Sequence, residues 1–156
     1  MDVEQFKEIM RPVIEMCGNR TFDGELETEL NASFPPESLV FRSIEKACHS
    51  AIEAGWMCKH GEPGLKFGRV VKPADETHAM SIDVVDLENV AGPHHSHPKG
   101  EVCMNMPQNP EAKFDGIGAG WCVNEAGSAH SPTVSDGRAL VLYLLPDGEI
   151  DFSKPG

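Results

Sequence analysis

The stretch GPHHSHPKGE, residues 92–101, places three of the chain's seven histidines and a carboxylate within ten residues. Its two glycines and two prolines argue against a helix. In an extended strand, alternate side chains share one face. His95 and His97 therefore point the same way, and His94 points to the opposite side.

Glu101 closes this stretch, four residues after His97. The intervening Pro98-Lys99-Gly100 sequence predicts a turn that brings the carboxylate back toward the two imidazoles. Two imidazoles and one carboxylate form a ligand set for a divalent metal with open positions, such as Zn, Fe, Mn or Ni. Taken alone, the stretch leaves two alternatives open: a surface histidine cluster in a loop, and a proton relay without metal.

A fourth candidate ligand lies in GSAHSPTV, residues 127–134, where His130 begins a run rich in β-forming residues. His130 follows Glu101 by 29 residues, enough for one or two hairpins to return the chain beside the first stretch. A lone histidine is more often structural. The combination with residues 92–101 favours a metal site with His95, His97, Glu101 and His130 as ligands.

The chain before this region reads as helical and the chain around it as β-rich. Helical spacing of apolar residues predicts a helix from about Pro36 to Gly55, a short helix capped by Asp23, and a first helix that Pro12 kinks or divides. Beyond these helices, turn residues separate short runs typical of strands: WMCK, LKFGRVV, MSIDVVDL, EVCMNMP, GWCV, AHSPTV and ALVLYLL. We expect a mainly β sandwich or barrel, residues 56–156, with a helical segment, residues 1–55, packed on it as one globular unit.

Composition restricts the possible partners and compartments. The chain has 156 residues, 40% apolar content and a formal net charge of −12. Such an acidic surface repels nucleic acid and anionic lipid, so neither is expected as a partner. The longest apolar run, ALVLYLL, is far shorter than the ~20 residues that span a bilayer. The five cysteines form no CxxC pair and no signal peptide is visible, which predicts free thiols and a cytoplasmic protein.

Several catalytic signatures are absent from the sequence. It contains no GxSxG, no GxxxxGK[ST], no HExxH and no Rossmann fingerprint, so serine-hydrolase, nucleotide and dinucleotide chemistry find no support. Cys103 is in phase with Glu101 on a predicted strand. We expect it to fill space in the cavity rather than to act as a nucleophile.

The two histidine stretches resemble the two motifs of the cupin superfamily, whose members are small double-stranded β-helix, jelly-roll-like barrels. Cupins commonly hold a metal through His, His and Glu of the first motif and His of the second. The resemblance implies a cupin barrel with an N-terminal helical segment and the same four ligands. Three positions depart from the usual motifs: Asn89 stands in place of Gly, Glu125 in place of Pro, and Val134 in place of Asn. These positions concern turns more than ligands.

A narrower resemblance covers nearly the whole chain. Residues 68–101, GRVVKPADETHAMSIDVVDLENVAGPHHSHPKGE, and 127–152, GSAHSPTVSDGRALVLYLLPDGEIDF, are similar to the 4-hydroxylaminobenzoate lyase family. This resemblance implies a carbon–nitrogen lyase of nitroaromatic catabolism that converts 4-hydroxylaminobenzoate and water to 3,4-dihydroxybenzoate and ammonia. Glu101 and His130 are then the expected catalytic groups, with Glu101 either a ligand or the acid–base group. Because cupins often dimerise, a homodimer is expected.

Five residues are candidates to bind a small aromatic carboxylate. Arg69 and Lys72 offer charge, and only Arg offers a bidentate fork. His78 could line the cavity, and Trp121 and Tyr143 could supply apolar walls. The alternatives are a strand-surface charge pair for Arg69 and Lys72, a structural role for His78, and core packing for the two aromatic residues.

Two other functions stay open at this point. The first is another metal-cupin enzyme, such as an Fe(II) dioxygenase acting on a small aromatic acid, and oxygen consumption would distinguish it. The second is a non-catalytic cupin that binds a small aromatic acid as a sensor or carrier. The sequence shows no output domain to accompany such a sensor.

Overall fold

A computed structural model describes residues 1–152, in which three helices precede nine strands. The helices are α1 (Val3–Cys17), α2 (Gly24–Ser33) and α3 (Leu39–Ala54). The strands are β1 (His60–Glu62), β2 (Leu65–Val71), β3 (Met80–Ala91), β4 (His95–His97), β5 (Glu101–Pro107), β6 (Lys113–Phe114), β7 (Gly120–Asn124), β8 (Ser128–His130) and β9 (Thr133–Pro146). A 3-10 turn, Asp75–Thr77, lies between β2 and β3.

The helix ends follow the capping residues of the sequence. The side chains of Asp23 and Ser38 each accept a backbone hydrogen bond from the first turn of the helix that follows. Gly55 ends α3 in the left-handed conformation, with φ of 88°. Pro12 lies inside α1 and starts no second helix. Within residues 1–152, no helix combines the length and the apolar character that crossing a membrane requires.

The strands form two antiparallel sheets. Seven strands make the larger sheet, in the order β1-β2-β3-β9-β5-β7 with β6 added beside β9, and β4 pairs with β8 in the smaller one. This arrangement confirms the mainly β, cupin-type fold with helices at its N-terminus. The prediction of a strand at residues 56–59 is wrong, because the chain bends there and Cys58 takes a left-handed φ of 55°.

Strand β9 explains the long apolar run ALVLYLL. Leu140, Leu142 and Leu144 lie in the cluster that includes the helices. The alternate residues, Val141 and Tyr143 among them, lie in a second cluster on the opposite face of the sheet. Because helices cover one face and the barrel interior lies on the other, both faces of this strand are buried.

Side chains of α2 protect the edge of the larger sheet at β7. The Asn31 amide donates to the Trp121 carbonyl at 2.9 Å and accepts from the Trp121 N–H at 3.0 Å. The Glu27 carboxylate accepts from the Val123 N–H at 2.9 Å. These side chains take the place of a neighbouring strand, so the edge does not offer its N–H and C=O groups for pairing.

Asn89 occupies the position where the cupin motif usually has glycine. It adopts a φ of 43°, and the pairing of β3 with β9 shifts register between Glu88 and Val90. Its side-chain oxygen accepts a hydrogen bond from the Gly137 N–H at 3.0 Å. Asparagine tolerates the left-handed region better than most other residues with a Cβ, so the strand accommodates this irregularity without glycine.

Candidate metal centre

Three strands from both sheets bring the four predicted ligands together. His95 and His97 lie on β4, and His95 pairs directly with His130 on β8. At the turn after β4, Gly100 has φ of 88° and donates its N–H to the His97 carbonyl at 3.1 Å. That turn carries the chain from the smaller sheet into the larger one, where Glu101 is the first residue of β5.

The ligand atoms converge on one point. His130 Nε2 lies 3.0 Å from His95 Nε2 and 3.1 Å from His97 Nε2. Glu101 Oε2 lies 3.1 Å from His97 Nε2. All four residues offer ligand atoms within 4.8 Å of one another. Ligands held at about 2.0–2.1 Å from one shared ion lie roughly 3.0–3.4 Å apart, so the spacing fits a divalent metal.

The outer nitrogens of two histidines fix their tautomers. His130 Nδ1 lies 2.7 Å from the Asp115 carboxylate, and His95 Nδ1 lies 3.2 Å from the Pro93 carbonyl. Both partners can only accept, so both imidazoles carry their proton on Nδ1. Their Nε2 lone pairs then face each other across 3.0 Å. Such lone pairs repel unless a cation shares them, which is the second indication of a metal site.

The buried carboxylate of Glu101 supplies a third indication. Its Oε1 accepts hydrogen bonds from Cys103 Sγ at 2.8 Å and from Asn124 Nδ2 at 2.7 Å. Its Oε2 is buried and makes no hydrogen bond with the described residues. An unsatisfied buried carboxylate oxygen is costly, and coordination of a cation removes that cost. Without a cation, burial raises the pKa of Glu101.

The three imidazoles differ in how readily they take a proton. Burial, reinforced by His130, lowers the pKa of His95 to about 4, and burial lowers the pKa of His97 to about 3. Both are therefore neutral near pH 7, as metal ligation requires. Burial also lowers the pKa of His130, but the Asp115 hydrogen bond and the Glu101 charge outweigh it and the net shift is upward.

A cavity of about 540 Å³ adjoins the cluster and shares His95 with it. Its walls are mostly apolar and include Leu65, Phe67, Val85, Leu87, Pro132, Ile150 and Phe152. Two of the predicted substrate-binding residues, Arg69 and Tyr143, also line it. Burial raises the pKa of Tyr143 well above its usual range, so its phenol stays protonated and can donate a hydrogen bond.

The other three predicted substrate-binding residues lie elsewhere. Trp121 is paired with Met104 and belongs to the cluster that faces the helices, which is core packing. His78 lies 3.2 Å from the Glu15 carboxylate of α1, in a structural position. Lys72 is exposed just after β2 and does not line the cavity. Alternation along a strand did not show which face of the sheet would meet the helices.

A row of paired residues crosses the sheet between Arg69 and the cluster. Arg69 on β2 is opposite Asp83 on β3, Asp83 is opposite Tyr143 on β9, and Tyr143 is opposite Cys103 on β5. Three strand spacings separate the backbones of Arg69 and Cys103 by roughly 14 Å. Cys103 donates a hydrogen bond to Glu101. The row therefore runs from the Arg69 guanidinium at one end to the metal cluster at the other.

The guanidinium of Arg69 is held at its end of the row. Nε and Nη2 donate to the two Asp83 oxygens at 3.0 and 3.2 Å, and Nη2 also donates to the Gly148 carbonyl at 2.9 Å. Among the described residues, Nη1 has no hydrogen-bond partner. Arg69 is therefore fixed in direction and keeps donors for an incoming carboxylate.

Two contacts at the centre were not predicted. Asp115 supports His130, and Asn124 supports Glu101. Asn124 is opposite Glu101 in the pairing of β5 with β7, a register that the sequence does not reveal. Asp115 precedes Gly116 in a turn, with φ of 48°, and the Asp-Gly pair is a turn signal that says nothing about His130.

Replacing Asp115 with Asn is expected to weaken metal binding about 10- to 100-fold, the usual effect of losing such a supporting group. The new amide nitrogen can donate to His130 Nδ1, which moves the ring proton to Nε2 and removes the ligating lone pair. A competition titration with a metal-chelating dye measures the affinity. The matched control is Asp136→Asn, because Asp136 also has a left-handed φ, of 58°. Equal affinity in Asp115→Asn and wild type would contradict the supporting role.

Comparison with known sequences connects this geometry to a named group. A family model described as "PnbB: 4-hydroxylaminobenzoate lyase" matches residues 8–152. The chain is 29% identical over 150 residues to a 4-hydroxylaminobenzoate lyase of Nocardioides sp. (strain LMS-CY), covering 90% of this chain and 89% of that protein. It is 30% identical over 157 residues to a protein of the same name from Pseudomonas putida, covering 88% and 89%.

A solved structure shares the fold at lower identity. It is the DMSP lyase DddQ from Ruegeria pomeroyi DSS-3, with a TM-score of 0.50 and 14% identity, covering 93% of this chain and 77% of that chain. At this identity the likeness concerns the fold alone. It spans both the helices and the barrel.

Proposed function

Because the chain belongs to the 4-hydroxylaminobenzoate lyase family, we propose that it is a metal-dependent carbon–nitrogen lyase acting on 4-hydroxylaminobenzoate or a closely related arylhydroxylamine. The products are 3,4-dihydroxybenzoate and ammonia, and one water is consumed. The observation that carries this proposal is the buried three-histidine, one-glutamate cluster at one side of an apolar cavity.

The cavity suits the shape of this substrate. An arylhydroxylamine acid is a flat apolar ring with a carboxylate at one end and a hydroxylamino group at the other. The walls are apolar, Arg69 provides a cation at one end, and His95 marks the side of the metal cluster. Asp83 lines the same cavity and pairs with Arg69, so Arg69 offers an incoming carboxylate its remaining N–H donors.

The overall reaction is redox-neutral, so it consumes no external oxidant or reductant. The nitrogen gains two electrons when the N–O bond breaks and its oxygen leaves as water, and the ring loses two when a water oxygen replaces the hydrogen on the adjacent ring carbon. A second water supplies the oxygen that replaces nitrogen, so the net consumption is one water. The C–N bond is then hydrolysed, and ammonia leaves. A bound divalent ion would supply Lewis acidity, which stabilises anionic oxygen and lowers the pKa of bound water.

Side chains of this chain manage protons and position in that scheme. Glu101 is buried and its Oε2 makes no hydrogen bond within residues 1–152, so it can ligate the metal or carry a proton toward the departing oxygen. The protonated phenol of Tyr143 can donate a hydrogen bond into the cavity. Cys103 and Asn124 hold the other oxygen of Glu101 and so fix its direction.

The direct test is anaerobic incubation of the purified protein with 4-hydroxylaminobenzoate. Ammonia and 3,4-dihydroxybenzoate are expected in equal amounts, measured by an enzymatic ammonia assay and by liquid chromatography. Absence of either product excludes this lyase reaction. A requirement for oxygen instead identifies the dioxygenase alternative.

Replacing Arg69 with Met is expected to raise KM about 10- to 100-fold. This follows from a charge-assisted hydrogen bond worth roughly 1.5–3 kcal/mol. If this bond acts equally on the bound substrate and the transition state, kcat and metal content stay close to wild type. Steady-state kinetics on the acid and on its methyl ester measure the effect, which the ester should not show.

Two further variants isolate the role of Arg69. Met at position 69 leaves the Asp83 carboxylate unpaired in the cavity, so the double variant Arg69→Met with Asp83→Asn removes that repulsion. Arg138→Met is the matched control, since Arg138 forms a similar two-bond pair with Asp86, at 2.8 and 2.9 Å, outside this cavity. Equal losses for acid and ester in the double variant would exclude a carboxylate anchor.

A further inference from the structure

Two phenylalanines lie at the mouth of the cavity. Within residues 1–152, five large hydrophobic side chains are exposed, and only Phe67 and Phe152 among them are aromatic, at 45% and 55% exposure. Both line the cavity that shares His95 with the metal cluster. The exposed aromatic rings are therefore concentrated at one site.

Phe67 is held by the larger sheet. It lies in the middle of β2, in phase with Leu65 and Arg69, and all three line the cavity. Its backbone position is set by pairing with Val85 on β3 and with His60 on β1. Its ring lies on the same wall as the proposed carboxylate anchor.

Phe152 is held by the strand that carries two of the ligands. The Ser96 N–H donates to the Asp151 carbonyl at 2.8 Å, and the Asp151 N–H donates to the Ser96 carbonyl at 3.0 Å. Ser96 lies between His95 and His97 in the sequence. The Phe152 ring contacts the His95 ring edge to face, with centroids 5.3 Å apart. The ring is thus placed between the metal cluster and the open side of the cavity.

We propose that Phe67 and Phe152 form an aromatic clamp that selects a planar aromatic ring over a saturated ring carrying the same charge. This inference rests on the proposed function, in which the cavity receives the substrate. Aromatic pairs in offset or edge-to-face geometry gain free energy beyond simple burial, equivalent to roughly 2- to 10-fold in affinity per contact. A puckered saturated ring has no π face and touches the two phenylalanines only through C–H groups, so it lacks this additional gain and the clamp discriminates by ring type.

The test compares two acids with the same polar groups, 4-hydroxybenzoate and trans-4-hydroxycyclohexanecarboxylate, by calorimetric titration of the metal-loaded protein. Wild type is expected to prefer the aromatic acid by about tenfold or more. The variants Phe67→Leu and Phe152→Leu should each reduce this preference several-fold, and the double variant should nearly abolish it. Leucine retains apolar bulk, and both positions are partly exposed, so folding is preserved and thermal unfolding checks it.

Leu39→Ala is the control, because Leu39 is 83% exposed on α3 and does not line the cavity. It should keep the wild-type preference. Equal binding of the two acids by wild type, or an unchanged preference in the double variant, overturns the clamp. A normal preference without turnover of 4-hydroxylaminobenzoate upholds the clamp and overturns only the proposed reaction.

Discussion

Replacing His95 or His130 with Ala is expected to remove most of the bound metal. Metal affinity should fall by more than about 100-fold, because losing a group that merely supports a ligand already costs up to that much. Each variant loses one of the four converging ligand atoms, and the three that remain no longer complete the coordination of the metal. The fold should survive, because both clusters of core side chains exclude these histidines. Mass spectrometry of metal content and circular dichroism measure the two properties.

His94→Ala is the matched control for these variants. His94 adjoins His95 in the chain but contributes no atom to the cluster. It should retain wild-type metal content. Wild-type metal content in His95→Ala or His130→Ala would show that the replaced histidine is not a metal ligand.

Replacing Glu101 with Gln is expected to lower kcat by at least about 100-fold, the lower range for loss of a general acid or base. Cys103 and Asn124 both donate to Oε1, so the amide oxygen of Gln takes that position and its NH2 group faces the cluster. An NH2 group neither ligates a cation nor accepts a proton. The substitution therefore removes both possible functions while retaining the shape of the side chain.

Metal content of Glu101→Gln separates those two functions. Loss of the metal identifies Glu101 as a ligand, and full retention with low kcat identifies it as the acid–base group. The three histidines are unchanged in this variant. Activity within tenfold of wild type would contradict both roles.

The convergence of the four predicted ligands could be foreseen because their sequence spacing already encodes geometry. His95 and His97 share a strand face, and the turn ending at Gly100 returns Glu101 to them. His130 required the second motif, since only strand pairing places it opposite His95. The apolar run at residues 139–145 correctly indicated a strand, although its burial on both faces depended on the helices.

The surroundings of the site were less predictable, because they depend on pairing between strands distant in sequence. Asp115 and Asn124 reach the ligands through registers that no local pattern specifies. Trp121 and Tyr143 were equally plausible as cavity walls, yet they lie on opposite faces of the larger sheet. Phe152 gave no signal, since its place depends on the two hydrogen bonds between Ser96 and Asp151.

Removal and return of the metal tests the central claim most directly. The wild-type protein is stripped with a chelator, dialysed and titrated with divalent metals while ammonia release from 4-hydroxylaminobenzoate is followed. Activity should fall to background in the stripped protein and return in proportion to bound metal, reaching its maximum at one ion per chain. Full turnover by the metal-free protein would contradict the account.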